Sequence, residues 1–193
     1  MNIDNLFNII LSDNPIERIK QNETLIFEMI PELEKCKGFN QNNPWHIYDV
    51  YEHTLNVVAG VSKTPLLRLA ALFHDIGKPN VYLVDEIGIG HFRGHWTISQ
   101  IIFDNFANKY QLEENLKKNV SLLILYHDKN LEDLDDEENL NIIEKLDINI
   151  IIDLFELKKA DLLAQNKKHH YLLDEYENQK NKILLLKQQR MKH

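Results

Sequence analysis

Five residues able to bind a metal fall where a helical pattern calls for apolar side chains. Asp161 follows Ile150, Leu154 and Leu157 at spacings of four, three and four, which puts its carboxylate on the buried face of one helix. His53 shares a stripe with Val50 and Val57, His74 continues Leu67, Ala70 and Ala71, and His127 continues Val120, Leu123 and Ile124. His95 opens the stripe of Ile98 and Ile102. Taken singly, a histidine on such a stripe is more often a hydrogen-bonded core residue, and Asp161 alone would cap a neighbouring helix or pair with Lys158 or Lys159. A carboxylate on that face is costly unless it is paired or bound to a cation. Five helices each turning such a group inward point to a divalent metal held by imidazole and carboxylate.

The local signal is sharpest at His74-Asp75. Neighbours on a helix point about 100° apart, so both reach one ion only near a helix end. Gly77 and Pro79 supply the stop. Lys78 then projects from the turn, either to neutralise a phosphate oxygen or as a cation favoured at a helix C-terminus. In His91-Phe92-Arg93-Gly94-His95 two imidazoles and a guanidinium flank a glycine that would allow a close approach. Arg93 offers a fork for phosphate, and His91 and His95 straddle a helix start, so a shared ion is not assumed. His46, seven residues before His53, is a supporting or substrate-facing group, or a buried partner of Trp45. His169-His170 and His193 read as surface. Cys36 reads as a loop residue with no base near it, hence not a nucleophile. The acidic run 132–138 lacks the glycine and spacing of a calcium loop and reads as solvated. No glycine-rich phosphate loop is present.

These residues need helices to carry them. Apolar spacing predicts helices over 48–61, 65–75, 94–108, 112–126, 139–146, 149–165 and 171–190. Two or three short helices precede Pro31, with Asn14-Pro15 as an N-cap and first helical residue. They cover the core or form a dimer contact. Cys36 to Trp45 is Asn-rich and reads as a loop. The strand candidates lie at 81–92, as one short hairpin or an ordered loop. The last helix docks through Leu184, Leu185 and Leu186 and frays at Met191-Lys192-His193. The expected fold class is all-α, one domain.

Composition agrees and sets bounds. The 193 residues suffice for one core, and only 6 Gly and 5 Pro favour long helices over many turns. A single cysteine excludes an internal disulfide and fits a reducing cytoplasm. No apolar run reaches membrane-spanning length, and Asp4 stands where a signal peptide would carry basic residues. The formal charge of −8 disfavours an extended nucleic-acid footprint. A local Lys and Arg cluster still suits one phosphate.

The stretch Leu69 to Pro79, with Tyr48-Asp49-Val50-Tyr51-Glu52-His53-Thr54-Leu55 some twenty residues earlier, resembles the HD superfamily of metal-dependent phosphohydrolases. The likeness is closer to the HD domain attached to bacterial CCA-adding tRNA nucleotidyltransferases and poly(A) polymerases. It rests on Ile30-Pro31-Glu32-Leu33, Gln41 to His46, His91-Phe92 with Gly94-His95, and Lys159-Ala160-Asp161 with Ala164-Gln165. Nothing resembles the nucleotidyltransferase head, so the expectation is a free-standing HD domain and nucleotide addition is not carried over. The domain layout expected is a helical extension at 1–35, a metal-binding core at 46–165 and a C-terminal helix at 166–193.

The resemblance implies a first metal on His53, His74, Asp75 and Asp161, and a second on His95 and His127 with Asp75 as bridge; His91 competes with His95. Such ligands accept manganese, iron, cobalt, nickel or zinc, and sometimes magnesium. The implied activity is hydrolysis of nucleotides or similar small phosphate esters by metal-activated water. Asp75 would orient the water, Lys78 and Arg93 stabilise the phosphoryl charge, and His91 or His127 protonate the leaving oxygen. Substrate binding falls to Lys78, Arg93 and His46. A tRNA end remains open as a contact, and no membrane partner is expected. Two alternatives share the ligands: a di-iron oxygenase, and a non-catalytic module that binds nucleotide or RNA.

Overall fold

The chain, described over residues 2–190 of a computed structural model, is a bundle of helices with one two-stranded ribbon. Four short helices open it: α1 (Ile3–Ile10), α2 (Pro15–Gln21), α3 (Glu23–Met29) and α4 (Pro31–Cys36). Three of them precede Pro31, within the two or three expected, and α4 begins at that proline. The break before it falls at Ile30, whose φ of −132° and ψ of 75° lie outside the helical region, as a residue before proline prefers. Leu6, Ile9, Ile10, Ile19, Ile26 and Ile30 are buried, so this extension covers the core. Cys36 is not a loop residue: it ends α4, buried, with burial pushing its thiol up.

From α5 (Val50–Gly60) onward the helices are those the periodicity predicts, with ends displaced by no more than two residues. They are α6 (Pro65–Phe73), α8 (His95–Lys109), α9 (Glu114–Tyr126), α10 (Glu137–Lys145), α11 (Ile148–Leu163) and α12 (Leu172–Arg190), with the single turn α7 (Lys78–Val81) after α6. The first two starts have a local cause. Asp49 accepts from the Glu52 N–H at α5, and Thr64 accepts from the Leu67 N–H ahead of Pro65 at α6. The ribbon pairs β1 (Leu83–Val84) antiparallel with β2 (Gly90–His91). A 3₁₀ turn at Lys167–His169 links α11 to α12. The fraying expected at Met191-Lys192-His193, and the surface place expected of His193, lie outside the described residues.

Helix α6 is the axis. Leu67 through Phe73 are all buried, and α6 packs against α1, α5, α8, α9 and α11. A helix apolar all round belongs in the middle of a bundle. Its C-terminal end therefore opens inside the fold, among the ends of its neighbours. No described helix is long and apolar enough to cross a membrane.

Candidate metal centre

At that buried end α6 stops and delivers His74 as its C-cap, with Asp75 directly after. Gly77 lets the following turn press onto α8: a Cβ there would lie 2.5 Å from the His95 carbonyl oxygen and 2.7 Å from the Ser99 nitrogen. Its N–H instead donates to Ser99 Oγ at 2.9 Å. This approach sets Asp75 beside His95. Gly94, expected to allow a close approach, serves otherwise: a Cβ there would meet nothing within 4 Å, and the residue is needed for its φ of +81° at the N-cap of α8.

Asp75 divides its two oxygens between two pairs of imidazoles. Oδ2 lies 3.4 Å from His53 Nε2 and 3.3 Å from His74 Nε2. Oδ1 lies 3.1 Å from His95 Nε2 and 3.6 Å from His127 Nε2. Asp161, from α11, closes the first group, with Oδ1 2.9 Å from His53 Nε2 and 3.9 Å from His74 Nε2. All four histidines are buried.

The tautomers fit cation ligands. His74, His95 and His127 each place Nδ1 2.7–2.8 Å from the backbone oxygen three residues earlier, on Ala71, Phe92 and Ile124. A carbonyl only accepts, so Nδ1 carries the hydrogen and the neutral ring turns its Nε2 lone pair inward. His74 and His127 thereby also satisfy carbonyls left orphaned at the ends of α6 and α9. Inward lone pairs would face each other, with Nε2 of His95 and His127 only 3.2 Å apart, an arrangement a cation relieves. Three overlapping groups of donors close enough to share an ion result: His53, His74 and Asp161; His74, Asp75 and His127; and His46, His53 and Asp75.

The electrostatics follow from this crowding. Burial of the His53 ring pulls its pKa down, but Asp161 and Asp75 outweigh it and hold the imidazole up at about 9. Its Nε2 proton sits where a cation would. Burial pushes the Asp75 carboxyl up, and His74 beside it, with the Lys78 ammonium, overcomes this to keep it well below the usual range. Asp161 is likewise driven up by burial and held down more strongly by His53.

Lys78 begins α7, buried, with Nζ 2.6 Å from Asp75 Oδ2, 2.9 Å from Gln41 Oε1 and 3.3 Å from His46 Nε2. His46 donates from Nδ1 to Asn43 Oδ1 at 2.9 Å. Burial, aided by Lys78, lowers its pKa to about 3. Above the centre lies a pocket of about 480 Å³ whose wall includes Lys78, His91, Arg93, Trp45, Trp96 and Gln165. His91 is half exposed and paired to Asp85 Oδ2 at 2.8 Å. The ring that meets Asp75 is that of His95, and the two His of 91–95 face different partners.

Three participants escaped the sequence. Gln41 sits in an unpatterned Asn-rich loop, marked only as the start of the 41–46 stretch that carries the family likeness, with no role attached to it. His169, read as surface, stacks on Trp45 with ring centres 3.6 Å apart. Lys158, named only as a partner for Asp161, is buried and bonded elsewhere. It donates from Nζ to the carbonyls of His127 at 2.7 Å and Lys129 at 2.9 Å, which fixes the end of α9, and burial pulls its pKa down to about 8. A signal existed for it: Lys158 falls four after Leu154 and four before Leu162 on the buried side of α11.

A helical bundle whose centre gathers histidines and aspartates close enough to share an ion is the arrangement found here, and the chain belongs to the HD domain family, whose model matches residues 46–166. Its relatives include a CC-adding tRNA nucleotidyltransferase of Thermus thermophilus, 38% identical over 84 residues, covering 40% of this chain and 19% of that protein. A bifunctional uridylyltransferase/uridylyl-removing enzyme of Corynebacterium glutamicum is 38% identical over 82 residues, covering 37% and 12%. An A-adding tRNA nucleotidyltransferase of Deinococcus radiodurans is 29% identical over 104 residues, covering 51% and 24%. The chain thus spans a quarter or less of the length of these curated relatives.

Proposed function

We propose that this protein is a metal-dependent phosphohydrolase acting on nucleotides or similar small phosphate esters. The observation that carries the reading is Asp75, with each oxygen turned to a different pair of imidazoles at the base of an open pocket. Divalent ions bound there would supply a water of lowered pKa and neutralise phosphoryl charge. His53, His74 and Asp161 with Asp75 form the first seat; His95 and His127 with the other Asp75 oxygen form the second.

The remaining residues act on the substrate or on these ligands. Lys78 steadies the Asp75 carboxylate and lends a fixed positive charge to the pocket floor. His46 holds the Lys78 ammonium from the far side. Arg93, exposed on the wall, takes phosphate oxygens in its planar fork. His91, tethered to Asp85, donates a proton to the leaving oxygen. The names of the relatives, which speak of tRNA nucleotidyl transfer and uridylyl removal, point toward nucleotidyl groups. With a net charge of −8, a free nucleotide or a strand end suits the pocket better than a long duplex.

The test is hydrolysis of nucleoside monophosphates, 2′,3′-cyclic nucleotides and an aryl phosphate, with manganese, cobalt, nickel, zinc or magnesium added. Turnover should require metal and fall by about 10³-fold or more in Asp75→Asn, roughly 4 kcal/mol of barrier. Inactivity of the metal-loaded protein across the panel would overturn the reading. Oxygen uptake by the iron-loaded protein would assign the same ligands to oxygen activation.

A further inference from the structure

Trp45 is a large apolar residue left 40% exposed at the mouth of the pocket, and it is held there with more care than surface packing needs. Its N–H donates to Asn43 Oδ1 at 3.1 Å, and its carbonyl accepts from the Asn166 N–H at 2.8 Å. The Asn166 amide also donates to the Pro44 carbonyl at 3.3 Å. One ring face lies against the His169 imidazole, at 3.6 Å between centres and 20° between planes. With that face covered and the residue still lining the pocket, the other face is available to a ligand. The indole is fixed, flat and half stacked. Phe92 and Trp96 line the same pocket, and the exposed Lys167 and Lys168 directly precede His169.

We infer that Trp45, backed by His169, is a stacking platform for a nucleobase whose phosphate reaches the Asp75 centre. This deepens the phosphohydrolase reading and rests on it. A fixed indole presents a π face to any base, which gives affinity without strong base choice. The two lysines beside it would meet a further phosphate, so the base comes either from a free nucleotide or from the end of a strand. Trp45 thus sets substrate class, while the buried centre sets the reaction.

Two readouts separate this from the reading beneath it. In the chelator-treated Trp96→Phe protein, where Trp45 is the remaining tryptophan, its fluorescence should be quenched by AMP, GMP, CMP or UMP, or by a dinucleotide, and not by ribose 5-phosphate. Tighter binding of the dinucleotide would name a strand end as the source; equal binding would name the free nucleotide. In the metal-loaded enzyme Trp45→Ala should raise KM for nucleotides by about 10- to 100-fold. It should leave ribose 5-phosphate turnover within about twofold, and Trp45→Phe should restore most of the loss. Quenching without hydrolysis would sink the phosphohydrolase reading and keep the platform. Hydrolysis with equal KM changes for both substrates, or no quenching by any probe, would overturn the platform.

Discussion

The floor and the rim of one pocket are built on opposite plans. The floor draws His74 and His127 from the ends of α6 and α9, His53 and Asp161 from within α5 and α11, and His95 from the start of α8. Its histidines are buried and, like Asp161, tied to one another or to their own helix. The rim comes from irregular segments, near residues 41–48, 85–93 and 165–169, and its Trp45, His91 and Arg93 are exposed. Packing supports the floor from every side, so it holds a fixed charge pattern. A few bonds hold the rim, so it is free to differ in what it accepts. Reaction and selection are placed on different kinds of structure.

The largest test of that contrast is His127→Ala. It should leave one ion per chain in place of two and lower kcat by about 10²–10³-fold. Metal content by mass spectrometry and steady-state rates check it together; two ions retained at full rate would break the division of Asp75 into two seats.

Next comes the dependence of stability on metal and pH. The His53 folded pKa of about 9 exceeds its ordinary 6.5, so in the metal-free protein the folded state holds the extra proton. That stabilisation is fully present below about pH 6.5 and is lost as pH rises through 9. The loss should be on the order of 3 kcal/mol. Melts of chelator-treated protein at about pH 6 and about pH 9.5 should show it, and His53→Gln should remove it. With metal bound, this proton is absent, so the Tm gap between loaded and stripped protein should widen across the same interval. A gap constant with pH would refute the coupling.

The smallest effect belongs to the rim. Arg93→Ala should raise KM about tenfold and change kcat by less than about threefold. A larger fall in kcat than in affinity would move Arg93 from selection to reaction and blur the contrast.

The same division decided what the sequence could reveal. His53 between Val50 and Val57, or Asp161 after Leu154 and Leu157, is visible because a helix repeats and a polar residue on its apolar stripe breaks the repeat. The bundle was legible for the same reason, from α5 to α12. Loops have no period to break. Gln41 and Trp45 therefore carried no mark of their partners, and His169 looked like one more polar residue in a basic run. Lys158 was hidden differently: the sequence offered it, with the exposed Lys159, only as a partner for Asp161, although the stripe through Leu154 and Leu162 runs beneath it.

The bonds from the Nδ1 atoms of His74, His95 and His127 to carbonyls three residues back bear on how the chain assembles. Each spans a single turn of backbone, while the centre itself joins residues as far apart as His53 and Asp161. Local contacts of this kind form early, and distant ones must wait for loop closure. As α6 and α9 end and α8 begins, each ring is already committed to the nitrogen it will offer. The last step of folding then brings together three donors whose lone pairs have been chosen, and at those rings an arriving ion need not wait for a proton to move from one nitrogen to the other.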